Sequence, residues 1–150
     1  REYLWKNISD AKYAMDEILE YTDIIFPSHP GDTEKLLRIT DPDDIYNYFK
    51  SWNVPTVIIK CGEKGAIAYI ENKKYTIPPI APYGIIDVTG AGDTFVGTYL
   101  HCINNNIETK EALKWSITAA GIKVGGRSIT SQPKSIEIQK HMHKVIINQT

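Results

Sequence analysis

The stretch Ile85-Ile86-Asp87-Val88-Thr89-Gly90-Ala91-Gly92-Asp93-Thr94-Phe95 constrains this chain more than any other part of it. A short apolar run meets a Gly-Ala-Gly turn, and a segment of helical periodicity follows from Ala91 to about Ile103. Strand, small-residue turn, helix is an anion-binding geometry. The first turn of a helix carries amide N–H groups without intrahelical partners, and the macrodipole adds partial positive charge there. Gly90, Ala91 and Gly92 lack bulky side chains, so a phosphate can come close to those amides. Asp93 falls in the first turn, where a carboxylate can take the proton of a hydroxyl that attacks a phosphoryl group. On the residues alone a second reading stands beside this one: the glycines make a tight turn and Asp93 stabilises a helix start.

At 150 residues the chain can bury a real core within one domain. Apolar residues make up 42% and charged residues 23%, the composition of an ordinary globular protein. A net charge of -1 makes no electrostatic case for nucleic acid or an anionic membrane. No apolar run approaches the roughly 18 residues of a membrane span, and no signal peptide opens the chain. Cys61 and Cys102 are isolated thiols without metal-ligand spacing or a disulfide framework, which suits a reducing cytoplasm.

Along the chain, Ser9 reads as the cap of a helix to about Tyr21, with Ala11, Ala14, Met15, Ile18 and Leu19 as its apolar stripe. Asp23 to Phe26 reads as a short strand, and Asp32 as the cap of a short helix. Asp41-Pro42 marks a helix start, with Ile45, Tyr48, Phe49 and Trp52 as the buried face. Thr56 to Lys60 reads as an interior strand, and Ala66–Ile70 with Tyr75–Ile77 as a hairpin across residues 71–74. Only helices are expected after the central motif, from about Thr109 to Gly125 and from Lys134 to Ile147. Strands alternating with helices predict an α/β fold: a mostly parallel sheet with an antiparallel edge hairpin and helices on both faces.

The run Asp87-Val88-Thr89-Gly90-Ala91-Gly92-Asp93-Thr94-Phe95 resembles the C-terminal signature of the ribokinase-like, or PfkB, family of carbohydrate kinases. The resemblance implies a three-layer ribokinase-like fold in which Gly90, Ala91 and Gly92 form an anion hole and Asp93 is the catalytic base. It further implies ATP and Mg2+ as cofactors, and a monovalent cation such as K+ at Asp87 and Thr89. Family members are about twice as long. The chain opens on Arg1, so residues 1–150 read as a single partial domain, the nucleotide-binding and catalytic C-terminal half.

Other segments carry the resemblance more loosely. Lys60-Cys61-Gly62-Glu63-Lys64-Gly65 is a turn between strands with glycines three apart, and it is similar to the family's Lys-x-Gly-x-x-Gly nucleotide loop. That likeness assigns Lys60, Gly62, Lys64 and Gly65 to ATP. Around Pro27-Ser28 many members carry Asn-x-x-Glu. Here Ser28 replaces the Asn and Gly31 stands where the Glu would be, leaving Glu34 as the magnesium-organising acid. Arg1 to Trp5 resembles a phrase of 2-keto-3-deoxygluconate kinases and fructokinases whose arginine reaches substrate or phosphate. Ser116 lies where members approach adenine, although its neighbours Thr118 to Gly121 also suit close helix packing. Gly125 to Ser128 loosely matches the final substrate and monovalent-cation loop, with Ser128 near the place of an acid that keto-deoxygluconate kinases have. His141 and His143 read as solvated surface, and Trp5, Trp52 and Trp115 as core or interface anchors.

The expected activity of the intact enzyme is ATP-dependent phosphotransfer to a hydroxyl of a sugar or sugar acid, of 2-keto-3-deoxygluconate or fructose type. A ribose or nucleoside kinase is the alternative within the family, and a catalytically silent nucleotide-binding fragment the alternative outside it. The expected partners are small molecules, without nucleic acid or membrane, and a homo-oligomer would form through a lid in the other half.

Overall fold

The computed structural model describes residues 5–126 and 131–150. They form two compact units, one of residues up to 62 with 67–75 and 150, the other of residues 63–66 and 76–149.

The first unit is built on β2 (Thr56–Lys60), whose Val57, Ile58 and Ile59 are fully buried. Three consecutive buried β-branched residues suit a strand covered on both faces. β1 (Ile24–Ile25) lies parallel to it, Ile24 opposite Thr56 and Ile25 opposite Val57. A bridge from Ser28 to Lys60 continues the pairing past Pro27.

Two helices cover this strand pair. α1 (Ile8–Leu19) is capped by Asn7 rather than Ser9: the Asn7 side chain accepts from the Asp10 amide at 3.1 Å. Met15 and Leu19 reach the core, whereas Ile18 faces out. α2 (Pro42–Lys50) begins where Asp41-Pro42 predicts, with Asp41 accepting from the amides of Asp43 and Asp44. Ile45 and Phe49 join Leu19, Val54, Val57, Ile59 and Tyr69 in one core, with Trp52 packed at its edge. The Tyr48 hydroxyl and the Lys12 ammonium both donate to Asp16, tying α1 to α2. The bond to Asp16 is the main reason Lys12 is pushed up to about 12. Residues Thr33–Leu37 form a π-helical turn that Asp32 does not cap; its carboxylate accepts instead from the Ser28 amide at 2.9 Å.

β3 (Ala66–Ile70) and β4 (Lys73–Ile77) form the expected hairpin on a shorter turn. Glu71 and Asn72 alone make it, at φ 52° and 61°, the left-handed pair that matches strand twist in a two-residue hairpin. Lys73 and Lys74 therefore belong to the strand, and Lys74 with the Tyr69 hydroxyl donates to Asp43. Those two bonds, that of Lys74 first, hold the Asp43 carboxyl below its usual range. β5 (Asn148–Gln149) corrects the expectation of helices alone after the motif; two residues are too few to show a period. The strands follow one another in chain order across a mixed sheet. Next to β5, Lys74 and Thr150 exchange both backbone hydrogen bonds, at 2.9 and 3.0 Å, an antiparallel pair.

In the second unit α3 (Ala91–Asn104), α4 (Thr109–Lys123) and α5 (Ser135–Met142) pack together. Ala119, Ile122 and Ile138 form its core with Trp115 at the edge. Trp5, by contrast, is largely exposed. α5 stops before the predicted Ile147, and His141 on it is buried rather than solvated, at 7% exposure. Its Nε2 meets the Tyr83 hydroxyl at 3.1 Å, while Nδ1 is buried without a partner. Among the described residues no helix is long and apolar enough to cross a membrane.

Two outcomes follow from this packing. Phe49→Ala removes a large side chain from the first core and should lower unfolding free energy by about 3–5 kcal/mol, read by urea denaturation. Burial first, then Lys144, Lys140 and His143, hold His141 below the usual histidine range. Below about pH 6.5 the unfolded chain binds a proton that the folded chain resists, so stability falls as pH is lowered through that window. His141→Gln should flatten that fall in melting temperatures taken between about pH 7 and pH 5.

Candidate active site

The backbone from Ile80 to Asp87 lies along α4, and α4 is shaped to receive it. A Cβ on Gly121 would stand 1.9 Å from the Ile80 carbonyl oxygen, and one on Gly125 2.8 Å from the Tyr83 Cβ. Beyond the end of α4 the Val124 carbonyl accepts from the amides of Ile86 and Asp87, at 2.7 and 3.1 Å. These bonds replace the ladder that the apolar run predicts: residues 85–88 are not a strand, and Ile85, Ile86 and Val88 are exposed.

Asp87 then folds the chain into the turn. Its carboxylate accepts from the Thr89 amide at 2.9 Å and bonds the Thr89 hydroxyl. The hydroxyl first, then the amide and the charge of Lys123, hold Asp87 below the usual carboxylate range. Gly90 caps α3 at φ 78°, a left-handed position that favours glycine.

The donors of the turn differ in one respect from the sequence reading. The Ala91 amide closes back on the Val88 carbonyl at 3.2 Å, so it is already engaged. The amides of Gly90, Gly92 and Asp93 are not taken up by the backbone carbonyl of any described residue. The open donors are therefore centred on Gly92 and Asp93, at the positive end of a 14-residue helix. The exposed Asp93 carboxylate stands with them on an open cleft of about 540 Å³, which Thr89, Gly90, Thr94, Gly97, Gln132 and Pro133 also line. An anion fits this set: amides that no backbone carbonyl of the described residues takes up, at a helix N-terminus.

The remaining predicted residues are placed as follows. Arg1 and Ser128 lie outside the described residues. Ser28 and Lys60 are neighbours in the first unit, where the His29 amide also donates to the Lys60 carbonyl at 2.8 Å. Gly62 has φ 58° and open space where a Cβ would go. Gly65 is fixed by structure, since a Cβ there would stand 2.1 Å from the Ile77 carbonyl oxygen. Lys64 and Glu34 are exposed. Ser116 is fully buried and its hydroxyl donates to the Ala112 carbonyl of its own helix at 2.6 Å, which corrects the adenine assignment in favour of helix packing. Among the described residues no group of three or more His, Cys, Asp or Glu could hold a metal ion.

Sequence reasoning passed over Lys123. It ends α4 fully buried, with its Cε 3.6 Å from the place of a Cβ on Gly90. The signal was present: Leu113, Ser116, Ile117 and Ala119 are buried, and helical spacing carries that inward register on to Lys123.

Residues 1–135 match the profile described as pfkB family carbohydrate kinase. The chain is a member of that family. It is 28% identical over 127 residues to the 2-dehydro-3-deoxygluconokinase of Thermoproteus tenax, covering 85% of this chain and 39% of that protein. It is 31% identical over 121 residues to the cytidine kinase of Thermococcus kodakarensis, covering 68% and 42%. A candidate ribokinase II of E. coli, crystallised with ATP and Mg2+, superposes with a TM-score of 0.80 at 28% identity, over 91% of this chain and 44% of that one. The fold is ribokinase-like, and the chain spans about two fifths of the length of the curated relatives it matches.

Gly121→Ala tests the seat of the turn. Alanine favours a helix interior by about 1 kcal/mol, but here its methyl would strike a backbone carbonyl that no rotamer change relieves. A net loss of about 1–3 kcal/mol is expected in thermal or denaturant unfolding.

Proposed function

We propose that the intact enzyme transfers the γ-phosphate of ATP to a hydroxyl of a sugar or sugar acid. The observation that carries this is the exposed Asp93 carboxylate beside the open first-turn amides of α3, on one cleft. When bound, ATP supplies the phosphoryl group and Mg2+ neutralises its phosphate oxygens.

The chain's own residues then have distinct tasks. Asp93 accepts the proton of the attacking hydroxyl, which keeps the nucleophile reactive as the new bond forms. The amides of Gly92 and Asp93, with the dipole of α3, stabilise negative charge on the transferring group. Gly90 supplies the left-handed φ of 78° from which α3 starts. Lys60, Gly62 and Lys64 are assigned to the nucleotide by their Lys-x-Gly-x-x-Gly spacing; the open space over Gly62 supports this, whereas Gly65 has a structural reason of its own. Glu34 is assigned to the magnesium shell: of the two exposed acids that follow Gly31, Asp32 already accepts from the Ser28 amide.

A sugar acid of the 2-keto-3-deoxygluconate type is our first assignment for the acceptor, supported by the likeness to the Thermoproteus kinase. The likeness to a cytidine kinase supports a nucleoside as the second. ADP release measured on the intact enzyme with a panel of sugars, sugar acids and nucleosides separates them. In the same enzyme Asp93→Ala should lower kcat by about 10²–10⁴-fold while ATP affinity is largely kept. Near-normal turnover would remove Asp93 from the mechanism. Nucleotide-dependent stabilisation without ADP formation from any acceptor would leave a binding module instead.

A further inference from the structure

We propose that the Lys123 ammonium is the built-in cation of the Asp87–Gly92 turn, a positioning residue that stands where a free monovalent cation would otherwise be required. The inference rests on the kinase reading for what the turn binds, but the charge arrangement belongs to residues 87–124 alone.

Three observations meet at Lys123. It is the last residue of α4 and fully buried. The carbonyl of the next residue, Val124, receives the amides of Ile86 and Asp87, so the root of the lysine is anchored against the start of the turn. Its stem runs toward Gly90, with Cε 3.6 Å from the place of a Cβ there. A lysine removed from water is tolerated only where negative charge and acceptors compensate it. Asp87 supplies negative charge to the same turn, and the charge of Lys123 acts on it.

The same facts decide against a monovalent cation at Asp87 and Thr89. The Asp87 carboxylate is already bonded to the Thr89 amide and hydroxyl. A potassium ion placed beside them would meet the ammonium held at the buried end of α4, and like charges at close range repel. The two oxygen donors are bonded to each other in a turn that Lys123 reaches at Gly90, so these two residues do not suit K+. The lysine side chain does the work of an ion: it balances Asp87 and holds the turn from which the first-turn amides of α3 project. It also adds positive charge behind the position of a bound phosphate.

The test is a cation-rescue experiment without nucleotide. Melting temperatures of the chain are compared in choline, sodium, potassium and ammonium chloride at equal ionic strength. The wild-type protein should melt at one temperature in choline and potassium. Lys123→Met keeps the stem and removes the charge; it should melt several degrees lower in choline and recover in potassium or ammonium. Lys123→Arg should stay indifferent to the salt. A potassium-specific rise in the wild-type protein overturns the proposal, as does a Lys123→Met loss that no cation restores. Should Lys123→Met not fold in any salt, wild type and Lys123→Arg decide: indifference of both upholds the proposal, and a potassium-specific rise in either overturns it. Failure of the chain to bind Mg-ATP in a separate titration would sink the nucleotide reading and leave this result standing.

Discussion

The close approach of an extended backbone to the C-terminal part of α4 is the contact on which the rest of the second unit depends. A helix end leaves carbonyls without partners, and a chain running past it leaves amides without partners. Here each satisfies the other, through the Val124 carbonyl and the amides of Ile86 and Asp87. The approach is possible because Gly121 offers no Cβ to the Ile80 carbonyl. Once the chain is pinned at Asp87, the Asp87–Thr89 bond and the left-handed Gly90 leave little freedom in where α3 begins. The position of the α3 start is thus a consequence of how α4 ends.

That dependence explains why some of the molecule could be read from sequence and some could not. Local chemistry was legible. Asp41-Pro42 specifies a helix start by capping and fixed φ, and the buried run Val57 to Ile59 specifies an interior strand. The start of α3 at Ala91 followed from the Gly-Ala-Gly turn and the periodic segment after it. What failed was whatever tertiary contacts decide. Ile85 and Ile86 have strand-forming side chains, but their segment bonds a helix end instead of a neighbouring strand. His141 sits in a polar stretch and is nevertheless covered, because Tyr83 closes over it from a distant part of the chain. Family membership was legible in the nine residues from Asp87 to Phe95, whereas Arg1 and Ser128, which only the resemblance assigns to the substrate, lie outside the described residues.

The site itself is a balance of charges on a short stretch of backbone. Asp87 brings a negative charge below the turn and Asp93 another at its rim. Against them stand the α3 dipole and the Lys123 ammonium, one fixed by peptide geometry and the other by burial. Neither can relax away as a solvated surface lysine would. Preorganised charge of this kind stabilises a developing anion without reorganisation at the moment of reaction, and it is worth more where water is excluded. The engagement of the Ala91 amide sharpens the picture, because it moves the open donors one residue along the helix, onto the amides next to Asp93. The Asp93 carboxylate and those amides then belong to one turn of one helix, and their separation is set by helix geometry rather than by loop conformation.

This locality bears on how one fold serves different acceptors. The relatives include a 2-dehydro-3-deoxygluconokinase and a cytidine kinase, whose names place the phosphate on chemically unlike partners. Both match this chain across most of its length at similar identity. A shared region in proteins with different acceptors is expected to hold what their reactions have in common, and that is the handling of a phosphoryl group. The structural devices found here answer to that common part. Gly121 seats the turn, Asp87 and Thr89 shape it, and Asp93 stands at the helix start, all within residues 80–124 of a single unit. Acceptor choice can then vary elsewhere without disturbing these contacts. A change at Gly121, by contrast, would displace Asp93 and the first-turn amides together, because both hang from the same few backbone bonds.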